Sequence, residues 1–262
     1  MDKPKVVILC GGMGTRLREE TEFKPKPLVP IGGRPILWHI MNIYSYYGFN
    51  DFVLCLGYKG DMIKQYFLNY NDYEGDFTLN LKTNKKQAVA SRAPDWNITF
   101  ADTGLLSQTG SRIKQIEKYI GEENFFLTYG DGVSDVNITD LFKFHNAHGK
   151  IATVTTVRPI TRFGNLSISN ENIITDFTKK TVAHEGWIDG GFFVLNRKFF
   201  DYVDTNPECM LEGQPLKTLA SEKQFVAYKH GGFWQCMDTI RDHQILNEIW
   251  ASGNAPWKSW KG

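Results

Sequence analysis

The chain has 262 residues, 42% of them hydrophobic and 14% aromatic, enough to bury a sizeable core in one large domain or two small ones. Its 30 basic and 29 acidic residues leave a net charge of +1, which excludes a general nucleic-acid or membrane-surface binder with a basic excess. The four cysteines form no C-x-x-C pair, no apolar run approaches the roughly 20 residues of a membrane span, and no signal-peptide pattern opens the chain, so a cytoplasmic protein is expected.

Val6-Val7-Ile8-Leu9 is apolar and β-branched, the pattern of a strand buried on both faces. It runs into Cys10-Gly11-Gly12-Met13-Gly14-Thr15-Arg16-Leu17. Three glycines in four positions let backbone N–H groups approach a ligand with no Cβ in the way. A loop of this kind at the C-terminal end of a strand is where open α/β sheets hold nucleotides. Thr15 adds a hydroxyl, and Arg16 a fixed charge whose planar fork can meet two phosphate oxygens. Lys26, in Pro25-Lys26-Pro27, adds a second and mobile charge. Together they can grip a triphosphate and stabilise charge in phosphoryl or nucleotidyl transfer. Leu17 stands where a dinucleotide fingerprint needs glycine, which disfavours an oxidoreductase, and no Walker A lysine follows. Arg16 reads otherwise as a surface arginine, and Lys26 as a rigid surface turn; the residues alone leave Lys26 open.

A helix is expected over 35–47, stopped by Gly48, then a strand over 52–56 and a helix over 61–68. Gln108-Thr109-Gly110-Ser111-Arg112 opens a helix expected over 111–120. Its first amides and Arg112 favour an anion, while Thr109 or Ser111 can instead cap it. A strand over 124–128 leads to Gly130-Asp131-Gly132. That places Asp131 at the ligand edge of a sheet as a magnesium candidate, or in an Asp-Gly turn. On the helix over 138–148, His145 and His148 share a face; with no third ligand nearby, a solvated face is expected. After a β-branched strand over 151–157, short strands over 165–169, 173–177 and 191–195 read as antiparallel additions at one end of the sheet. A strand over 225–228 and a helix over 239–251 follow. Thr239-Ile240-Arg241-Asp242 reads as a capping box, so Asp238 either points elsewhere or joins the cap or a salt bridge. Trp250, Trp257 and Trp260 pack the last helix down or form a subunit contact; Cys10 and Cys55 read as buried thiols. There is no internal repeat. The alternation predicts an α/β fold, a mostly parallel Rossmann-like sheet with helices on both faces, as a single domain over 1–262.

Gly-Gly-x-Gly-Thr-Arg-Leu with the later Pro-Lys-Pro resembles the signature of the sugar-1-phosphate nucleotidyltransferases. Four further segments resemble the cytidylyltransferases of that family: Ile36 to Met41, Thr128 to Val133, Gly190 to Asn196, and Gly232 to Gln235 with Met237-Asp238-Thr239. Ala255-Pro256-Trp257-Lys258 does too, so the resemblance covers nearly the whole chain. It implies that CTP and α-D-glucose 1-phosphate react by in-line attack with Mg²⁺, giving CDP-glucose and pyrophosphate for surface polysaccharides such as O-antigen. It assigns catalysis to Arg16 and to Lys26, the family's reactive lysine. Nucleotide contacts fall to Leu9, Gly11, Gly12, Met13, Gly14, Thr15, Thr109, Arg112 and Gly130 as well, within a nucleotide-binding half over about 1–135. Sugar-phosphate contacts fall to Lys179, Asp189 and Gly191 in the half over 136–262, and magnesium to Asp131 and Asp238. A homo-oligomer is also implied, a hexamer among its forms, with no nucleic-acid or membrane partner.

Two departures fall on the sugar side. Thr178-Lys179-Lys180 stands where the family carries Glu-Lys-Pro, and Asp189 where asparagine is common. Asp189 can supply the carboxylate that Thr178 lacks. These departures keep a different acceptor phosphate open, and a non-catalytic nucleotide-sugar binder is the reading from another class. Base choice rests on the resemblance alone.

Overall fold

Apolar runs without polar alternation form the middle of one seven-stranded sheet, because a strand covered on both faces has no side left for water. The computed structural model describes residues 3–88, 93–121, 123–158, 165–169, 172–178 and 186–260. The sheet contains β1 (Val6–Leu9), β2 (Asp51–Leu56), β3 (Asn97–Asp102) and β4 (Asn124–Tyr129). A short β5 (Gly132–Ser134) lies outside it. The sheet is completed by β6 (Ala152–Val157), β7 (Ile188–Asn196) and β8 (Phe225–Lys229). The order across it is β8-β6-β7-β4-β1-β2-β3. β1 pairs in parallel with β2 and β4, β2 with β3, and β6 with β8; β7 runs against both of its neighbours.

The period of two along each strand divides the core into two layers. Val6, Ile8, Phe52, Leu54, Phe126, Phe192 and Val194 point to one face. There they meet α1 (Ile36–Tyr46), α2 (Gly60–Leu68) and α4 (Ile138–His148), together with α6 (Ile240–Ala251). Val7, Leu9, Val53, Phe125, Leu127, Phe193 and Leu195 point to the other. That face is covered by α3 (Thr109–Gln115), α5 (Gln214–Ser221) and the turn carrying Phe199 and Phe200.

Four expectations change. The strand expected at the end of the sheet over 191–195 is β7, seated antiparallel between β4 and β6. Phe192-Phe193-Val194-Leu195 is apolar on both faces, and only a central position buries both. β3 was not expected: Asn97 to Asp102 is a half-exposed edge strand whose polar residues blur the pattern. The helix expected to reach residue 120 stops at Gln115 and tightens into a 3₁₀ turn, Glu117–Tyr119; neither Thr109 nor Ser111 caps it. His145 and His148 are not on a solvated face. Both rings bond the Thr153 hydroxyl, through His145 Nδ1 at 2.8 Å and His148 Nε2 at 2.7 Å. Burial lowers the pKa of both, His145 to about 4.

The C-terminal tryptophans pack inward, as one of the two readings had it. Trp257 is fully buried, stacks on Trp250 and Phe233, and donates from Nε1 to His39 Nδ1 at 3.3 Å. His39 Nε2 bonds the Ile31 carbonyl at 2.9 Å, and burial lowers its pKa to about 4, so it serves as a neutral acceptor for Trp257. No helix among the described residues is long and apolar enough to cross a membrane.

Candidate active site

The loop after β1, the loop after β4 and the start of β7 share one edge of the sheet, because β7 is reversed relative to β4. A second pairing brings in the C-terminal segment. β5 pairs antiparallel with β9 (Trp234–Cys236), setting Cys236 opposite Gly132, and the Met237 N–H donates to the Asp131 carbonyl at 2.8 Å. Asp238 thereby arrives beside Asp131. Thr239 caps α6 in a reciprocal capping box with Asp242, so the Asp238 side chain is released from capping and meets Lys26 and Arg16.

Lys26 stands between the two carboxylates. Its Nζ donates to Asp131 Oδ2 at 2.7 Å and to Asp238 Oδ1 at 2.6 Å. The side chain is only 10% exposed, which rules out the surface-turn reading. Pro25 holds an extended backbone, and a 3₁₀ turn, Lys26–Leu28, follows and presents the lysine inward. Burial works to lower the Lys26 pKa, but Asp131 and Asp238 outweigh it and the net shift is upward. Arg16 Nη1 bonds the other oxygen of Asp238 at 2.7 Å, from a side chain 74% exposed. For Asp238, burial raises the pKa, yet Lys26 and then Arg16 prevail and lower it. Two cations and two carboxylates thus lie against one another, and the upward shift keeps Lys26 charged for an incoming anion.

The glycines divide their work. A Cβ on Gly12 would meet open space, so no protein atom crowds that side of the loop. Gly14 has a φ of +64°, and its carbonyl accepts from the buried Thr21 hydroxyl at 3.0 Å. Gly11 is glycine for an internal reason: its Cβ would lie 2.2 Å from Arg112 Nη1. Arg112 is buried, and its guanidinium donates to Gly11, Leu56, Gly104 and Leu105 carbonyls and to the Thr103 hydroxyl. Arg112 thus holds the first glycine of the loop. Burial lowers its pKa from the usual arginine value. Gly57 was missed, although its position after β2 mirrors Gly11 after β1. A Cβ there would meet the same guanidinium at 2.6 Å.

The other residues expected to meet the nucleotide lie as follows. Met13, Thr15 and Arg16 are exposed at the loop. Leu9 ends β1, and its carbonyl accepts from the Gly130 N–H at 3.1 Å. Thr109, at the start of α3, donates to Glu212 Oε2 at 2.7 Å and accepts from the Leu211 N–H at 2.8 Å.

On the other side of Asp131, Asp189 Oδ1 accepts from the Gly191 N–H at 2.6 Å. Gly191 has a φ of +78°, and a Cβ on it would lie 2.8 Å from the Tyr129 ring. Surrounding protein, then Glu212, push the Asp189 carboxyl up to about 6 although the residue keeps solvent contact. Lys179 lies outside the described residues, as do its neighbours up to 185.

Asp131 and Asp238 offer hard oxygen donors converging on one point, the set a small divalent cation takes. Cys236 lies 3.8 Å from Asp238, and burial with the two carboxylates pushes its thiol up to about 12, so it stays a neutral neighbour rather than a soft ligand.

Residues 5–241 match the family model described as nucleotidyl transferase. A glucose-1-phosphate cytidylyltransferase from Salmonella typhimurium is 48% identical over 258 residues, covering 98% of this chain and all of the relative. Among solved structures, HddC from Yersinia pseudotuberculosis superposes with a TM-score of 0.69 at 22% identity, over 95% of this chain and 100% of that one. A UDP-glucose pyrophosphorylase complexed with UDP-glucose gives the same score at 16% identity, over 96% and 100%.

Proposed function

The chain belongs to the nucleotidyl transferase family, and from that premise we propose that it joins CTP to α-D-glucose 1-phosphate, releasing pyrophosphate and forming CDP-glucose. The observation that carries this reading is Lys26 held between Asp131 and Asp238 beside the glycine loop, with Arg16 completing the cluster. We read residues 1–262 as one catalytic unit working in the cytoplasm as a homo-oligomer.

The triphosphate lies along Gly11 to Thr15, where backbone N–H groups and the exposed Arg16 face it. Arg16 exchanges Asp238 for the β- and γ-phosphates and stabilises the leaving pyrophosphate. Lys26 sits deeper and meets the α-phosphate, whose charge rises as the sugar-phosphate oxygen attacks the α-phosphorus in line. Asp131 and Asp238 are the residues to hold Mg²⁺, which when bound neutralises phosphate charge. The sugar phosphate lies toward β7, with Asp189 accepting from its hydroxyls, Gly191 beside it, and Lys179 as its phosphate partner.

Pyrophosphate release in Mg²⁺, with CTP, UTP and dTTP crossed against glucose 1-phosphate and other sugar phosphates, tests the reading. Turnover is expected with CTP and glucose 1-phosphate. A different productive acceptor would retain the chemistry and reject the sugar; CTP binding without turnover of any pair would favour a nucleotide-sugar binder.

Asp189 adds a pH dependence. Its carboxyl sits near 6, so the acceptor form is lost as pH falls through that value. The KM for glucose 1-phosphate is expected to rise below about pH 6 while that for CTP stays level. Asp189→Asn should raise the sugar KM at neutral pH and flatten this limb. An unchanged sugar KM in the variant would remove Asp189 from the site.

A further inference from the structure

Glu212 has no place in the chemistry above, yet it joins two parts of the site. Its Oε1 accepts from the Tyr129 hydroxyl at 2.5 Å, and its Oε2 from the Thr109 hydroxyl at 2.7 Å. Thr109 is itself fixed by the Leu211 N–H, and the segment leading to Glu212 is docked on the start of α3. Gln108 N–H donates to the Pro207 carbonyl at 2.8 Å and Ser111 N–H to the Cys209 carbonyl at 3.0 Å. Against Cys209 there is no room for a side chain at position 110, where a Cβ would lie 2.7 Å from Sγ. The segment just before Glu212 is therefore anchored, as is one of its carboxylate oxygens, and the other oxygen determines where the Tyr129 phenol sits.

Tyr129 is the last residue of β4, two before Asp131. Its ring lies against Gly191, in space that a Cβ there would enter, and Gly191 is the residue whose N–H holds Asp189. The Tyr129 hydroxyl donates to Glu212 along a defined direction. An O–H···O⁻ bond of this length is among the stronger side-chain bonds. Without it, the ring can rotate away from Gly191, and the wall formed by Gly191 and Asp189 loses its support.

We propose that Glu212 is a positioning residue for the sugar-phosphate half of the site, acting through Tyr129 from an anchor on α3. The inference rests on the proposed function, because it assigns the β7 side to the sugar. Its position in a loop between β7 and α5 gives no local pattern, which is why no motif marks it.

The test is a double-mutant cycle read on separate KM values. Glu212→Ala and Tyr129→Phe are each expected to raise the KM for glucose 1-phosphate roughly tenfold, with the CTP KM changed less than about twofold. The double variant is expected to be no worse than either single one, because both cut the same link. Glu212→Gln is expected to recover most of the loss: its amide oxygen accepts from one hydroxyl while its NH₂ donates to the other. Tyr129→Phe reads the same link should Glu212→Ala fail to fold. Additive effects, equal shifts in both KM values, or a glutamine variant as impaired as alanine would overturn the proposal. The last would make Glu212 a direct charged contact. An inert wild type would instead overturn the functional reading, and this inference with it.

Discussion

Lys26→Met is expected to lower kcat by roughly 10²–10³-fold, the cost of removing one charged group aimed at developing charge. The same change should leave a measurable mark on the resting protein. Lys26 Nζ is shared between Asp131 and Asp238, and without it two carboxylates face each other with only the exposed Arg16 to offset one of them. Thermal stability at neutral pH should fall, and Mg²⁺ should restore more of it in the variant than in the wild type, because the cation enters a site that Lys26 no longer holds. The sign with pH follows from Asp238, whose folded pKa is lowered. Such a group contributes stability above its unfolded value and loses it as pH falls through the folded one. The stability gap between wild type and variant should therefore be full at neutral pH and close in acid. Kinetics with melting curves at several pH values and Mg²⁺ concentrations check this. A variant with wild-type turnover, or a gap that widens in acid, would refute it.

Arg112→Ala is expected to lose about 3–4 kcal/mol of stability and to raise the CTP KM tenfold or more. Its guanidinium satisfies carbonyls from three separate connections: Gly11 after β1, Leu56 at the end of β2, and Gly104 and Leu105 after β3. Alanine leaves these oxygens facing a polar void. Lysine is no conservative replacement, since a single ammonium cannot reproduce a planar fork that bonds in five directions. Arg112→Lys should recover less than half of the lost stability. Urea denaturation and CTP titration of both variants measure the two effects. A destabilised Arg112→Ala whose CTP affinity is unchanged would show that the glycine loop holds its shape without the arginine.

The central strands were legible because burial on both faces writes itself as consecutive apolar residues, as in Val6 to Leu9. The helix expected over 138–148 forms with those bounds, and Gly149 closes it in the left-handed region. The glycine loop and Arg16 stood out as candidates because phosphate chemistry restricts which residue types can serve it, while Lys26 and Asp131, each with a turn as its other reading, come together only in the fold. The place of β7 was harder to see, since a reversed strand in a parallel sheet has the same composition as a parallel one. His145 looked solvated because a buried imidazole is recognisable only by its partner, and Thr153 lies on a different element.

Charge, the cation-bearing loops and the alternation of strand and helix are local properties, so the sequence by itself determined the α/β class and the candidate phosphate-handling residues. What those residues do to one another is a matter of distance between segments remote along the chain. Only the tertiary structure brought Asp238 to Lys26 through the β5–β9 pairing. Only it set Arg112 against Gly11 and Glu212 against the Tyr129 hydroxyl. A hydrogen bond requires approach within about 3 Å, and no spacing in a linear chain specifies that for residues more than 80 positions apart.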